Sequence, residues 1–218
     1  MHELSLLVAK REPGLPRVWS FVDGLNLTIE NPSDLDIQNA HYNGWLHYTA
    51  CSSLLLWSAD GLIRFATLNC PGSWHDSKIG TYGFYDAVRT QPCGYHIAGD
   101  SAFKTKLAGL LVVAKSSARR PADPRANLEW QKRQSSLVSV RQCAEWGMGT
   151  FQATWKRTRT RLPYNPWYRK LLLETCVQLT NFRTLHVGLN QIKTVFGSLK
   201  EQESLGGYEN VYGTRARY

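Results

Sequence analysis

The chain is short of the residues that staple or anchor a protein. Its five cysteines (Cys51, Cys70, Cys93, Cys143 and Cys176) are odd in number, widely spaced and never arranged as CxxC. That pattern excludes a disulfide framework and a cysteine-based zinc site, and it suits a reduced intracellular chain. No apolar run approaches the roughly 20 residues that a membrane span requires. The apolar stretch 4–9 is too short for a secretory leader, and Glu3 precedes it. P-loop and dinucleotide-binding fingerprints are missing. So is a G-x-S-x-G elbow, which leaves a Ser101/His75/Asp76 hydrolase triad unsupported. Acidic residues are also scarce: 17 stand against 26 basic ones, giving a net charge of +9.

What is present is ordinary in bulk and uneven in distribution. A chain of 218 residues, 43% hydrophobic and 20% charged, can bury the core of one large globular domain. Between Lys115 and Lys170 stand thirteen basic and three acidic residues, so the rest of the chain is close to neutral. The same stretch holds Trp130, Trp146, Trp155 and Trp167. Cations interleaved with aromatics suit a polyanion, because each Lys or Arg that meets a phosphate releases counterions. A solvated helix face reads equally well from charge alone.

Hydrophobic periodicity gives an order of elements. Residues 17–30 read as a strand, with Asp23-Gly24 as a bend or bulge. Residues 45–58 and 62–69 read as two more, joined by the turn Ala59-Asp60-Gly61, so the first three strands form an antiparallel meander. Residues 77–90 have helical spacing. Short strands follow at 95–98 and 107–114, then a loop in which Pro121 and Pro124 exclude a long helix. A helix is expected over 127–160, whole or in two pieces, with Leu137, Val140, Ala144, Met148, Phe151 and Trp155 on one stripe. Another covers 167–182 or beyond, and the Gly- and Tyr-rich tail from 205 reads as poorly ordered. This is the order of an α/β, RNase H-like fold: a mixed central sheet, its first three strands antiparallel, flanked by helices.

Three acids sit in unlike settings within it. Asp23 and Asp100 each end an apolar, strand-like run, and Glu145 lies inside a helical pattern. Carboxylates at strand ends with a third on a helix suit two Mg²⁺ or Mn²⁺ ions, which clamp the attacking and leaving oxygens of a displacement at phosphorus. Plainer readings stand beside this one: Asp23 as a turn residue, Asp100 as a helix cap, and Glu145 as the surface partner of Arg141 at i−4. His75 and Asp76 are accessory candidates, as a ligand, an acid/base pair or a loop-stabilising unit.

Five segments in order carry a resemblance. They are Phe21-Val22-Asp23-Gly24, then Asn69-Cys70-Pro71-Gly72-Ser73-Trp74-His75-Asp76-Ser77, then Ala98-Gly99-Asp100-Ser101-Ala102-Phe103. Arg141-Gln142-Cys143-Ala144-Glu145 and Cys176-Val177-Gln178-Leu179-Thr180-Asn181-Phe182 complete the set. The chain resembles the DDE endonuclease domain of PIF/Harbinger-type transposases and Harbinger-derived nucleases. The resemblance implies metal-dependent DNA cleavage and strand transfer. Asp23, Asp100 and Glu145 would be both catalytic acids and metal ligands, holding two Mg²⁺ or Mn²⁺ ions. DNA is the implied partner, the nucleus the expected location, and an oligomer is compatible. Lys115, Arg119, Arg120, Arg141, Lys156, Arg157, Arg159 and Arg161 are the candidate phosphate contacts.

The expected organisation is an N-terminal extension (1–15), the endonuclease domain (16–182) and a C-terminal helix with a flexible tail (183–218). Only 22 residues precede Asp23, so a fragment, or sequence recognition by a separate DNA-binding protein, is expected. The chain departs from the family pattern at Leu25-Asn26, Ala102-Phe103-Lys104-Thr105, Ala144 and Leu179-Thr180-Asn181, without losing a carboxylate. The other readings are a domesticated DNA- or protein-binding module that keeps the acids by descent, and an unrelated RNase H-like nuclease acting on RNA or repair intermediates.

Overall fold

The computed structural model describes residues 1–103, 106–115 and 117–197. The helix α1 (His2–Arg11) leads into β1 (Val18–Thr28), followed by α2 (Leu35–His41), β2 (Tyr42–Asn43), β3 (Tyr48–Ser58) and β4 (Ile63–Pro71). Two short helices, α3 (Asp76–Ile79) and α4 (Phe84–Thr90), precede β5 (His96–Gly99) and β6 (Leu110–Val112). The long α5 (Pro124–Thr154), a 3-10 turn (Lys156–Arg159), α6 (Pro166–His186) and α7 (Gln191–Phe196) complete the described chain. The sheet runs β2-β3-β1-β5-β6, with β4 also paired to β3. β1, β3 and β4 are antiparallel neighbours, while β5 and β6 continue from β1 in parallel. This is the mixed, helix-flanked sheet expected of an RNase H-like fold.

β1 owes its central place to its composition, because alternate residues feed two different cores. Phe21, Leu25 and Leu27 enter one with Leu137, Val140 and Phe151 of α5, Leu173 of α6 and Phe196 of α7. Val22 enters the other with Leu54, Leu56, Ile79 and Phe84. At about 25 cal/mol per Å² of apolar surface removed from water, such two-sided burial dominates the stabilisation. No helix among the described residues is long and apolar enough to cross a membrane, and all five cysteines are unpaired.

Several elements differ from the sequence expectation. Asp23-Gly24 is neither bend nor bulge, since β1 pairs with β3 without interruption from Ser20↔Ser58 to Thr28↔Ala50. The expected helix over 77–90 is two helices, broken where Gly83 adopts a left-handed φ of 94°. The strand expected from residue 45 starts at Tyr48, leaving Trp45 in a turn where its own N–H donates to the Asn43 side chain. Pro124 starts α5 instead of excluding it: proline lacks an N–H that the first helical turn leaves unpaired anyway, and Asp123 caps the helix by accepting from Ala126 N–H. The helix read from 167 to 182 or beyond runs to His186, so the domain end read at 182 falls inside α6. α1 and α7 pack on the same core as β1, with Val8 and Ile192 fully buried and Phe196 stacked on Phe21 at 5.4 Å. The tail from residue 205 lies outside the described residues.

A buried arginine fastens α6 to the sheet. Arg169 donates through Nε to Asn69 Oδ1, and through Nη1 to the carbonyls of Pro163 and Tyr164, both at 3.0 Å. Its Nη2 lies 3.4 Å from His41 Nε2, while His41 Nδ1 lies 2.9 Å from the Ala50 carbonyl. Donation from Nδ1 leaves Nε2 free to accept from the guanidinium, which fits the downward pull of burial on the His41 pKa.

Candidate active site

Asp23 is the polar member of an apolar row. Strand alternation places its side chain on the face of Phe21 and Leu25, beneath α5. Because Phe21 pairs with Ala98 on the parallel strand β5, Asp100, two residues beyond Ala98, stands level with Asp23. Ala102 N–H donates to Asp100 Oδ1 at 2.8 Å, so Asp100 makes the turn-stabilising bond that its plainer reading requires.

Asp76 is the first residue of α3 and is packed against Gly24. A Cβ on Gly24 would fall 2.4 Å from Asp76 Oδ1. The glycine of Asp23-Gly24 therefore exists to admit a second carboxylate against β1, and not to turn the chain.

Two of the aspartates, Asp23 and Asp76, are held above the usual carboxylate range. The Asp23 pKa is pushed up to about 6, first because burial strips water from the carboxylate. Gly24 N–H, donating to Oδ1 at 2.9 Å, opposes this. The charges of Asp100 and Asp76 raise it further, and the Arg141 guanidinium pulls it down. Asp76 is likewise held above the usual carboxylate range by burial and then by Asp100, with His75 opposing. A cluster of acids that resists its own ionisation is where a cation is most strongly attracted.

Glu145 is not drawn into this cluster. It is on α5 with its side chain half exposed, and Arg141 Nη2 holds its Oε1 at 2.7 Å. Arg141 thus stands in electrostatic reach of Asp23 while bonded to Glu145. The bond is weak: exposed i, i+4 pairs are worth about 0.3–0.5 kcal/mol, and arginine N-terminal to glutamate is the less favourable order. Rotating Glu145 away from Arg141 therefore costs little. As the side chains stand, no three His, Cys, Asp or Glu residues among those described are grouped closely enough to hold a metal ion. The donor set still fits a hard divalent cation, since it consists of carboxylate oxygens, two of them raised in pKa by burial and mutual repulsion.

Beside the aspartates lies a cleft of about 580 Å³, lined by Asn26, Tyr42, Trp45, Trp74, His75 and Asp76 among others. Trp45 is 90% exposed. Trp74 stacks on Tyr82 at 4.8 Å, with Lys78 Nζ 4.1 Å from its ring centroid. His75 is exposed at this rim.

The basic candidates fall in two exposed groups. Lys115, Arg119 and Arg120 follow the end of β6, two strands from Asp23. Lys156, Arg157, Arg159 and Arg161 surround the 3-10 turn, beside the bridge between Leu162 and Ile29 at the end of β1. Since β1, β5 and β6 are parallel, both groups lie toward the strand ends that carry Asp100. Arg157 is partly committed, donating to Thr160 Oγ1 and the Arg161 carbonyl.

The family model described as DDE superfamily endonuclease matches residues 22–181, a span that contains Asp23, Asp76, Asp100 and Glu145. The chain belongs to the DDE superfamily endonucleases. No curated protein and no solved structure matches it. Membership in this family carries a nuclease of the transposase type, with DNA as the implied substrate and divalent metals as the usual cofactor.

Within the DDE endonuclease frame, two of the motifs prove structural. Asn181 bridges the Ile63 backbone, accepting at 2.7 Å and donating at 2.8 Å, and Thr180 accepts from Trp155 Nε1 at 2.8 Å. Asn69, with a left-handed φ of 62°, orients Arg169 and donates to the Pro166 carbonyl. Asp76, read from the sequence as an accessory candidate, packs against β1 at Gly24. Its signal was Gly24, whose missing side chain has a purpose only once the partner is seen.

Proposed function

We propose that this chain is the catalytic domain of a PIF/Harbinger-type transposase, cutting and transferring DNA strands with Asp23, Asp100 and Glu145 as its acids and Asp76 as a fourth carboxylate. The observation that carries this reading is the level placement of Asp23 and Asp100 on neighbouring parallel strands, with Asp76 packed against Gly24 next to Asp23, all inside the span matched by the family. Asp23 and Asp100 would hold two Mg²⁺ or Mn²⁺ ions, with Asp76 beside them and Glu145 joining after leaving Arg141. When bound, such ions supply an activated water or 3′-hydroxyl and stabilise the leaving oxygen.

The chain's own residues do the rest. Arg141, freed by Glu145, is a cation next to the aspartates and suited to a neighbouring phosphate. The groups at 115–120 and 156–161 give sequence-independent backbone contacts. Trp45, almost wholly exposed at the cleft, offers a face for stacking a base, worth about 1–3 kcal/mol. We place the protein in the nucleus with its DNA.

One observation favours the alternative of a binding module without catalysis. Glu145 is already satisfied by a cation of the protein itself. Nicking of supercoiled plasmid in Mg²⁺ or Mn²⁺ separates the two. The wild type should nick, whereas Asp100→Ala and Glu145→Gln should lose at least a hundredfold while still binding plasmid. A wild type that binds but never nicks selects the module, and equal nicking by all three proteins refutes the assignment of these acids.

A further inference from the structure

A second cluster of charge lies away from the carboxylates and has no acidic partner among the described residues. Arg17 precedes β1, His96 begins β5, and Arg133 projects from α5, eight residues before Arg141. With Gly14, Leu111 and others they line a pocket of about 290 Å³, ample for a phosphate group. Among the described residues neither guanidinium has a salt bridge. Among the described residues, the buried His96 Nδ1 has no hydrogen-bond partner, an omission that calls for a cause. Burial first, then the charges of Arg133 and Arg17, hold the His96 pKa below its usual value, and no acid acts in the opposite sense.

Two exposed guanidiniums and an imidazole line one cavity, with no carboxylate among the charges acting on His96, and that is a lining suited to an anion. The surroundings favour a phosphate over a carboxylate ligand. Guanidiniums offer paired N–H donors that match phosphate oxygens, and a phosphate has enough oxygens to serve both arginines at once. The local backbone keeps the space open. Gly14 lies against Ser136 of α5, where a Cβ would come within 3.2 Å of Oγ. Gly94, at a φ of 85°, leaves room for Arg17 Nη1, which a Cβ would approach to 2.5 Å.

We propose that this pocket is a phosphate-binding site, and that its occupant is a backbone phosphate of the nucleic acid bound by the chain. The anion site stands on Arg17, His96 and Arg133 alone; the source of its phosphate rests on the nuclease reading above. His96 and Asp100 are four residues apart on one extended segment, roughly 13 Å at 3.3 Å per residue. A duplex, rising about 3.4 Å per base pair along its axis, covers that distance in about four base pairs. The pocket would therefore anchor the strand a few nucleotides from the carboxylates and fix its register on the protein, without reading sequence.

The test uses the full chain in EDTA, so that cleavage plays no part. Binding of a fluorescent 30-base-pair duplex is followed by anisotropy across a salt series, and binding of inorganic phosphate by titration calorimetry. Relative to wild type, Arg17→Gln/Arg133→Gln should bind the duplex about tenfold more weakly. The slope of log affinity against log salt should fall by about 1, and inorganic phosphate should no longer bind. Arg17→Lys/Arg133→Lys should keep the salt slope and recover part of the affinity, which a merely misfolded glutamine variant could not explain; matching near-ultraviolet circular dichroism checks the fold directly. Unchanged duplex and phosphate binding in the glutamine variant overturns the site. Loss of phosphate binding with duplex affinity intact overturns the backbone assignment and leaves a pocket for free phosphate. A wild type that fails to nick plasmid but shows the arginine-dependent salt slope counts against the nuclease reading and leaves this site standing.

Discussion

Replacing Asp23 by asparagine should make the metal-free protein more stable, and only above a defined pH. The folded carboxyl has its pKa pushed up to about 6 from an ordinary 3.8, chiefly by burial. Above pH 6 it is ionised in both folded and unfolded chains, and the folded chain bears the cost of a poorly solvated charge. As the pH falls from 6 toward 4 the folded chain takes up the proton first, so its stability rises; below 3.8 both states are protonated and the penalty is gone. At about 1.4 kcal/mol per pKa unit, the penalty at neutral pH is about 2–3 kcal/mol. Asparagine keeps an oxygen for the Gly24 N–H and drops the charge. For a chain of this size, 1 kcal/mol corresponds to about 2–4 °C. Thermal melts in EDTA should then show Asp23→Asn about 5–10 °C above wild type at pH 7.5 and level with it at pH 3.5. Added Mn²⁺ should raise the wild-type midpoint and leave the variant's unmoved. An equal gap at both pH values, or none at pH 7.5, would refute the claim that Asp23 is destabilised by its own charge.

Gly24→Ala forces a Cβ against the Asp76 carboxylate, so it should cost about 1–3 kcal/mol in urea titrations and abolish nicking. Adding Asp76→Ala should restore most of that stability without the activity. Arg169→Met strands Asn69 and the carbonyls of Pro163 and Tyr164 in the interior, and should cost about 3–5 kcal/mol by urea unfolding. A loss under 1 kcal/mol would mean that water replaces the guanidinium.

The sheet was legible because its strands are apolar, short and separated by turn residues. Ala59-Asp60-Gly61 forms the hairpin turn as read, with Ser58 N–H donating to the Leu62 carbonyl. Failures came where one residue type has two uses. Gly24 reads as a breaker, yet tertiary crowding by Asp76 is its reason, and no local window contains both. Pro124 reads as a helix breaker, yet at the first helical position its missing N–H matters little. For the site, Asp23 and Asp100 were visible as acids ending apolar runs, and parallel pairing sets them level. That Arg141 would engage Glu145 was visible as an i, i+4 spacing. Its added reach toward Asp23 depends on how α5 crosses β1, which spacing alone does not encode. The grouping of Arg17 with His96 and Arg133 joins Arg17 to residues 79 and 116 positions away and leaves no local trace.

Phe196 lies flat on Phe21, so the last described helix closes over the strand that is made first. β1 also needs β3 on one edge and β5 on the other, and α5 across its face. During synthesis this central strand must wait, with a hydrophobic flank uncovered, until some 175 further residues have left the ribosome. Assembly dominated by such distant pairings is slow and exposes sticky surface meanwhile. Expression at low temperature, or with a chaperone holding the nascent chain, should govern the yield of soluble protein more than any substitution on its surface.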